Sequence, residues 1–177
     1  MIWSHSGACT KLLLALALLA LASTPLRAQS PDKDYLTSLE ADKIRDAETS
    51  NEKIRLFMEY ADDRLKKFQY ELDHPSPANH QQMLNYLMNA YVGCVDDATD
   101  QMQLAVEKSE NVRKGIDLIA ERTKQFLDVL KKIQTDAKEI DVYKENLDDA
   151  LEGTTDAMND AEKAKKAVAP PPVRRKS

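Results

Sequence analysis

Three side chains on either side of residue 75 have types and spacing that could hold a metal ion. Glu71 and His74 form a Glu-x-x-His sequence, the spacing that di-iron helical bundles use. His80 follows across a short turn, and zinc binds carboxylate and imidazole ligands of this kind. We therefore consider Glu71, His74 and His80 as candidate ligands of a shared Zn²⁺. The alternative is that both histidines are exposed in a loop and bind nothing. A di-iron site would need a second such motif, and the sequence has one.

Cys94 is a second candidate site, because it could form a disulfide with another chain. It would be the single cysteine of an exported chain, and an odd cysteine outside the cell favours an intermolecular bond. It also lies beside Tyr91 and Val95 in the most apolar stretch after residue 28. A thiol in such a stretch behaves as a small buried hydrophobe. The sequence leaves both interpretations open, a packed thiol and an intermolecular disulfide.

The remaining acidic clusters do not have the pattern of a site. Each of three Asp-Asp pairs, at 62–63, 96–97 and 148–149, follows an apolar residue and predicts a solvated helix face. A calcium loop would need a glycine and ligands at alternate positions. The sequence also has no nucleophile elbow, no phosphate-binding loop and no zinc-protease helix. We expect no catalytic residues, no cofactor and no enzyme activity, and enzyme chemistry would have to rest on carboxylates alone.

Apolar residues recur at helical spacing through most of the chain and indicate the elements that position these groups. Steps of seven from Leu84 to Leu147 meet only apolar residues, and a second row from Met88 to Leu151 is apolar at seven of ten positions. An earlier segment has the same spacing at Ile54, Met58, Ala61, Leu65, Phe68 and Leu72. Alternating steps of three and four are typical of coiled-coil packing. The sequence predicts an all-α, elongated antiparallel helical bundle, coiled-coil-like, with one long central helix.

Helix-capping residues and prolines give the predicted helix boundaries. Helices are expected at about 31–48, 51–73 and from 78 onward, with Ser30 and Ser50 as caps and Pro31 in the first turn. The prolines of DHPSPA make the corner after the second helix. We place the next break at 134–141, where Asp141 would cap a final helix that folds back. One uninterrupted helix is the alternative, and such a rod would need a second chain along it.

Residues 1–28 have the layout of a secretory signal peptide. Lys11 precedes an apolar run that ends near Ala22, and small residues follow. Cleavage is expected after Ala28, with Ala22 as the second choice and an uncleaved anchor as the rival interpretation. The run is too short to cross a bilayer, so no stable membrane span should remain after cleavage. We predict a helical bundle domain at 29–168, a disordered proline-rich basic tail at 169–177, and a periplasmic or extracellular bacterial location.

Charge and composition narrow the function classes. Removal of residues 1–28 leaves 23 basic and 30 acidic residues, a formal charge of −7, which argues against nucleic-acid binding. The first hypothesis is a non-enzymatic exported protein that acts by protein–protein contact or self-association, as a scaffold, adaptor or holdase-like chaperone. The second is a periplasmic helical bundle that binds a metal or small ligand through the three candidate ligands above.

Overall fold

The described part of the protein consists of helices joined by short turns. A computed structural model describes residues 35–168. The predicted signal peptide, the predicted first-helix start at Ser30 and Pro31, and the predicted tail at 169–177 lie outside the described residues. Within 35–168 there is no strand. The helices are α1 (Ser38–Asp46), α2 (Ser50–Asp73), α3 (His80–Glu107), α4 (Arg113–Asp136) and α5 (Ile140–Ala167). The predicted all-α class and helical bundle are confirmed.

Helices α2 to α5 form two antiparallel hairpins that pack side by side. One hairpin is α2–α3 and the other is α4–α5, and α2 packs on α4 while α3 packs on α5. The neighbours from different hairpins are parallel: the Asn51 Oδ1 atom at the start of α2 accepts a hydrogen bond from the Gly115 N–H at the start of α4, 2.7 Å away. The connection at 108–112 therefore crosses one end of the bundle from α3 to α4, which touch little.

The predicted apolar rows form the core of this bundle. Every position from Ile54 to Leu72 in the early row is buried, and so are nine of the ten positions in the row from Leu84 to Leu147, Ile140 being half-buried. Two edge-to-face aromatic pairs join helices of different hairpins: Phe68 with Tyr143 at 5.0 Å between ring centroids, and Tyr91 with Phe126 at 5.6 Å. Such pairs stabilise by about 0.5–1.5 kcal/mol beyond the area they bury.

The predicted long central helix is wrong in one respect, because the chain breaks at 108–112. Ser109 has a φ of 56° and ends α3 in the left-handed conformation. The Glu110 N–H donates to the Ala105 carbonyl and the Ser109 N–H to the Val106 carbonyl, which is the Schellman arrangement. Glycine usually occupies that position, and here serine does, so the sequence contains no glycine or proline signal for this break.

The predicted fold-back near 134–141 is present, although Asp141 does not cap the last helix. The turn is Ala137–Glu139, where Ala137 and Glu139 both have positive φ, and α5 begins at Ile140 without a side-chain cap. The predicted cap at Ser50 is also displaced by one residue: the Thr49 hydroxyl accepts from the Glu52 N–H. Helix α1 begins at Ser38, later than predicted, because Thr37 and Glu40 form a capping box there.

Replacing Ala137 by glycine should stabilise the protein. The left-handed conformation at φ 47° costs a non-glycine residue about 1–2 kcal/mol, part of which the larger unfolded-state entropy of glycine offsets. We expect Ala137→Gly to raise the free energy of unfolding by up to about 1 kcal/mol in urea titrations. The control, Ala164→Gly inside α5, should lower it by about 1 kcal/mol. Changes of the same sign in both variants would contradict the assigned turn.

Candidate functional site

His80 joins three segments at one end of the bundle. It is the first residue of α3, and its Nδ1 lies 2.8 Å from Oε1 of Glu71 in the last turn of α2. Its Nε2 lies 3.0 Å from Oε2 of Glu139, in the α4–α5 turn. The Ser76 N–H and hydroxyl each donate to the Glu71 carboxylate at 2.8 Å. A protonated imidazole can donate at both nitrogens, so the arrangement is a clasp between the two turns.

The clasp shifts the protonation of both of its central groups. The hydrogen bond with Glu71 raises the pKa of His80, burial opposes this, and Glu139 raises it further. The Ser76 N–H is the main cause that lowers the pKa of Glu71, followed by His80. Lys138 is the nearby cation: its ammonium donates to the Leu72 carbonyl and lies 3.8 Å from the Asp73 carboxylate. The site therefore favours an imidazolium paired with two carboxylates.

The structure brings together two of the three candidate zinc ligands. His74 caps the end of α2 and stacks on the Tyr70 ring with centroids 4.4 Å apart, while its Nδ1 lies 3.2 Å from the Tyr70 carbonyl oxygen. Among residues 35–168, no group of three His, Cys, Asp or Glu side chains is placed to hold a metal ion. A metal on His80 would first have to displace Glu71 or Glu139, and the zinc site stays a prediction.

The Cys94 thiol is completely buried in the bundle core. This placement agrees with the packed-thiol interpretation. A cysteine of a second chain could reach the sulfur only if α3 were pulled away from its neighbours, and the intermolecular disulfide stays a prediction.

A second polar cluster, not anticipated from the sequence, holds α1 against the α2–α3 hairpin. Its centre is Arg64, whose side chain is 5% exposed. The guanidinium donates to both carboxylate oxygens of Glu40 at 2.9 and 2.7 Å, to Asp63 at 2.7 Å and to the Tyr35 carbonyl at 3.1 Å. Burial alone would raise the pKa of Glu40, but bonds from Arg64 and Thr37 lower it to about 2. We call this group the Arg64 clasp.

Tyr35 fixes the entry to α1 on the outer face of α3. Its ring lies against Gly93, and its hydroxyl donates to the Asp97 carboxylate. A methyl group at position 93 would be 2.8 Å from the ring, so only glycine allows this close approach. A capping box is visible in the sequence as Thr-Ser-Leu-Glu at 37–40, and it was the available signal for α1. Nothing in the sequence pairs Glu40 with Arg64.

Large apolar side chains remain exposed in line with this contact. Residues separated by three, four or seven lie along one side of a helix. On α3 the line contains Met83, Tyr86, Gly93, Asp97 and Leu104, which we call the outer row. Tyr35 covers its middle, while Tyr86 is 47% and Leu104 42% exposed on either side, and Met83 is 37% exposed. The row can therefore accept an apolar or aromatic group from another molecule.

Comparisons with protein-family models, with curated proteins and with solved structures give no match for this chain. In the segment that the structure describes, none of the helices combines the length and apolar character needed to cross a bilayer. The features that bear on function are therefore the two clasps and the outer row.

Gly93→Ala should release α1 without weakening α3. Alanine in place of a mid-helix glycine stabilises a helix by about 1 kcal/mol, but here the methyl group must displace the Tyr35 ring. We expect amide exchange in residues 38–46, measured by mass spectrometry, to become at least about tenfold faster. This corresponds to a free energy of α1 opening that is lower by about 1.4 kcal/mol. In the control, Gly153→Ala, the added methyl meets Asp96 at 3.8 Å and should leave α1 protection unchanged. Unchanged α1 exchange in both variants would show that Tyr35 does not anchor α1.

The His80 clasp should stabilise the fold more at pH 6 than at pH 9. Because folding raises the pKa of His80, its contribution is complete below its unfolded value of about 6.5 and is lost as the pH rises through the folded value. Glu71 has a lowered pKa, so its contribution is lost only as the pH falls below about 4.5.

We test this with denaturant titrations of the native chain and of His80→Asn. The stability difference between them should be larger at pH 6, and Glu139→Gln should lower the His80 pKa measured by NMR. A difference independent of pH would contradict the clasp.

Proposed function

We propose that this chain is exported and acts by binding another protein, as a scaffold, adaptor or holdase-like protein, without catalysing a reaction. The observation that carries the proposal is the outer row of α3, where exposed Tyr86 and Leu104 flank a site already filled by an aromatic ring. Tyr35 shows which chemistry the row accepts: a ring packed on a helix backbone with its hydroxyl on a carboxylate. Aromatic groups with one polar end are enriched in protein interfaces for this reason.

The two clasps have a structural role in this proposal. The two buried or half-buried ion-pair groups, around Arg64 and around His80, hold elements of the bundle to each other. Arg64 pairs with Glu40 of α1, and His80 pairs with Glu71 and Glu139 of two other segments, so the clasps position helices. Export rests on the sequence of residues 1–28, with a mature chain that begins at Gln29 and is periplasmic or extracellular.

Site-directed photo-crosslinking in the cells that carry the gene tests the proposal. A photoreactive amino acid replaces Tyr86 or Leu104 in the full chain, and exposed Glu145 on α5 serves as the control position. We expect the same protein adduct from positions 86 and 104 and none from 145, because Tyr86 and Leu104 are exposed apolar side chains of the outer row and Glu145 is a charged surface residue. The recovered chain should have the mass of a protein that begins at Gln29.

Absence of adducts at both outer-row positions, or equal adducts at all three, would overturn the contact function. A chain that retains residues 1–28 would overturn export with cleavage.

A further inference from the structure

Helix α1 packs on α2 and contributes no fully buried residue, while the Tyr35 ring just before it reaches α3. Together they cover one side of the α2–α3 hairpin, which we call the groove. Its nine residues are too few for a stable isolated helix, so its order depends on docking. The docking contacts are the Arg64 clasp, the Tyr35 ring on Gly93, and the partly buried side chains of Leu36 and Ile44. Elements with few buried apolar groups open first in folded proteins. Opening α1 therefore leaves the four-helix core intact.

The groove beneath α1 has one polar group that α1 does not satisfy, the Tyr60 hydroxyl. Phe57, Tyr60 and Arg64 lie along one side of α2, and Arg64 and Tyr60 both face the Glu40 charge. Phe57 is 4% exposed. The Tyr60 hydroxyl is buried and makes no hydrogen bond to any described residue. A buried hydroxyl without a partner costs about 1–3 kcal/mol, so α1 is an imperfect occupant of this groove.

We propose that this groove is a binding site for an amphipathic helix of another protein, and that α1 is its built-in competitor. The inference rests on the proposed contact function and names its partner. The partner segment carries an aromatic ring just before its helix for Gly93 and Asp97, and a carboxylate in the first turn of the helix for Arg64, as Tyr35 and Glu40 do in this chain. It also carries a polar side chain that reaches the Tyr60 hydroxyl.

The unsatisfied Tyr60 hydroxyl is the reason to assign the groove to a different protein. A second copy of this chain would offer the same α1 and would leave the same hydroxyl unpaired. Exchange of α1 between copies would therefore gain no contact over the intramolecular arrangement. A foreign helix with one further polar group gains a hydrogen bond that α1 lacks, and this difference allows it to displace α1.

Competition with a tethered segment sets the expected size of the effect. A short linker holds a segment at a local concentration on the order of millimolar. A free peptide at micromolar concentration is then outcompeted by about a thousandfold if its own affinity equals that of α1. The native chain should bind a free copy of α1 poorly, and a chain whose own α1 is repelled should bind it well.

A charge exchange between positions 40 and 64 tests the groove. The probes are two fluorescent peptides of residues 35–47, one with the native glutamate at position 40 and one with lysine there. The proteins are the full native chain, Glu40→Lys and Arg64→Glu. We expect Glu40→Lys to bind the native peptide at least tenfold more tightly than the native chain does, and to prefer it tenfold over the lysine peptide. Arg64→Glu should reverse that preference, since both partners of the ion pair are then inverted.

A direct test of the foreign partner uses the same variant in cells. A photoreactive side chain at Tyr60 should give at least tenfold more adduct with another protein in the Glu40→Lys chain than in the native chain. Helical content by circular dichroism confirms that each variant is folded, and α1 amide exchange confirms that α1 is released.

Three results would overturn the inference. One is failure of either peptide to bind a folded Glu40→Lys chain whose α1 is released. The second is equal binding of both peptides by each variant. The third is a native dimer that Glu40→Lys converts to monomer, which would assign the groove to a second copy. In each case, outer-row adducts at positions 86 and 104 would still support the contact function, so the two proposals fail independently.

Discussion

The bundle depends on one constraint. Four helices each carry an apolar stripe, and all four stripes must be kept from water. Each helix from α2 to α5 presents buried residues at steps of three and four. Neither hairpin buries the stripes of its own two helices without the other hairpin. The two hairpins must therefore pack together, which places α2 beside α4 and α3 beside α5. The aromatic pair Tyr91 with Phe126 and the pair Phe68 with Tyr143 lie between the hairpins and lock that arrangement. The polar clasps are added around this core.

Periodicity and prolines predict the helical class, the buried stripe and the corner at 74–79. The corner predicted at 134–141, which no proline or glycine marks, follows from the rarity of very long helices, and the structure places it at 137–139. The break at 108–112 could not be predicted in the same way, because the apolar row continues in phase from Ala105 to Val112 and Ser109 adopts a conformation usually given to glycine. The stripe reports which face is buried. It does not report whether the backbone is continuous, since a turn of suitable length leaves the phase unchanged.

The candidate sites differ in how far the sequence predicted them. An acid and a histidine near one corner of the sequence predict that Glu71 and His80 lie together, and the structure does join them. The Glu-x-x-His spacing predicts that His74 joins them, but the chain leaves the helix at that residue and the ring stacks on Tyr70. The Arg64 clasp connects residues 24 positions apart that belong to no repeat. Buried ion pairs of this kind depend on tertiary packing, so local sequence patterns do not predict them.

The two clasps respond to pH in opposite ranges, and this difference limits how the groove under α1 can open. Glu40 has a pKa of about 2, so its pair with Arg64 weakens only as the pH falls from about 4.5 toward 2. The His80 clasp has a raised histidine pKa and weakens as the pH rises. Between these limits Arg64 and Glu40 stay charged whether or not His80 is protonated. A change of pH around neutrality therefore changes the protonation of the His80 clasp at 74–80 and leaves the Arg64 clasp, and with it α1, in place. In the proposed groove, displacement of α1 around neutral pH would therefore come from a competing carboxylate at Arg64, which is a binding event and not a titration.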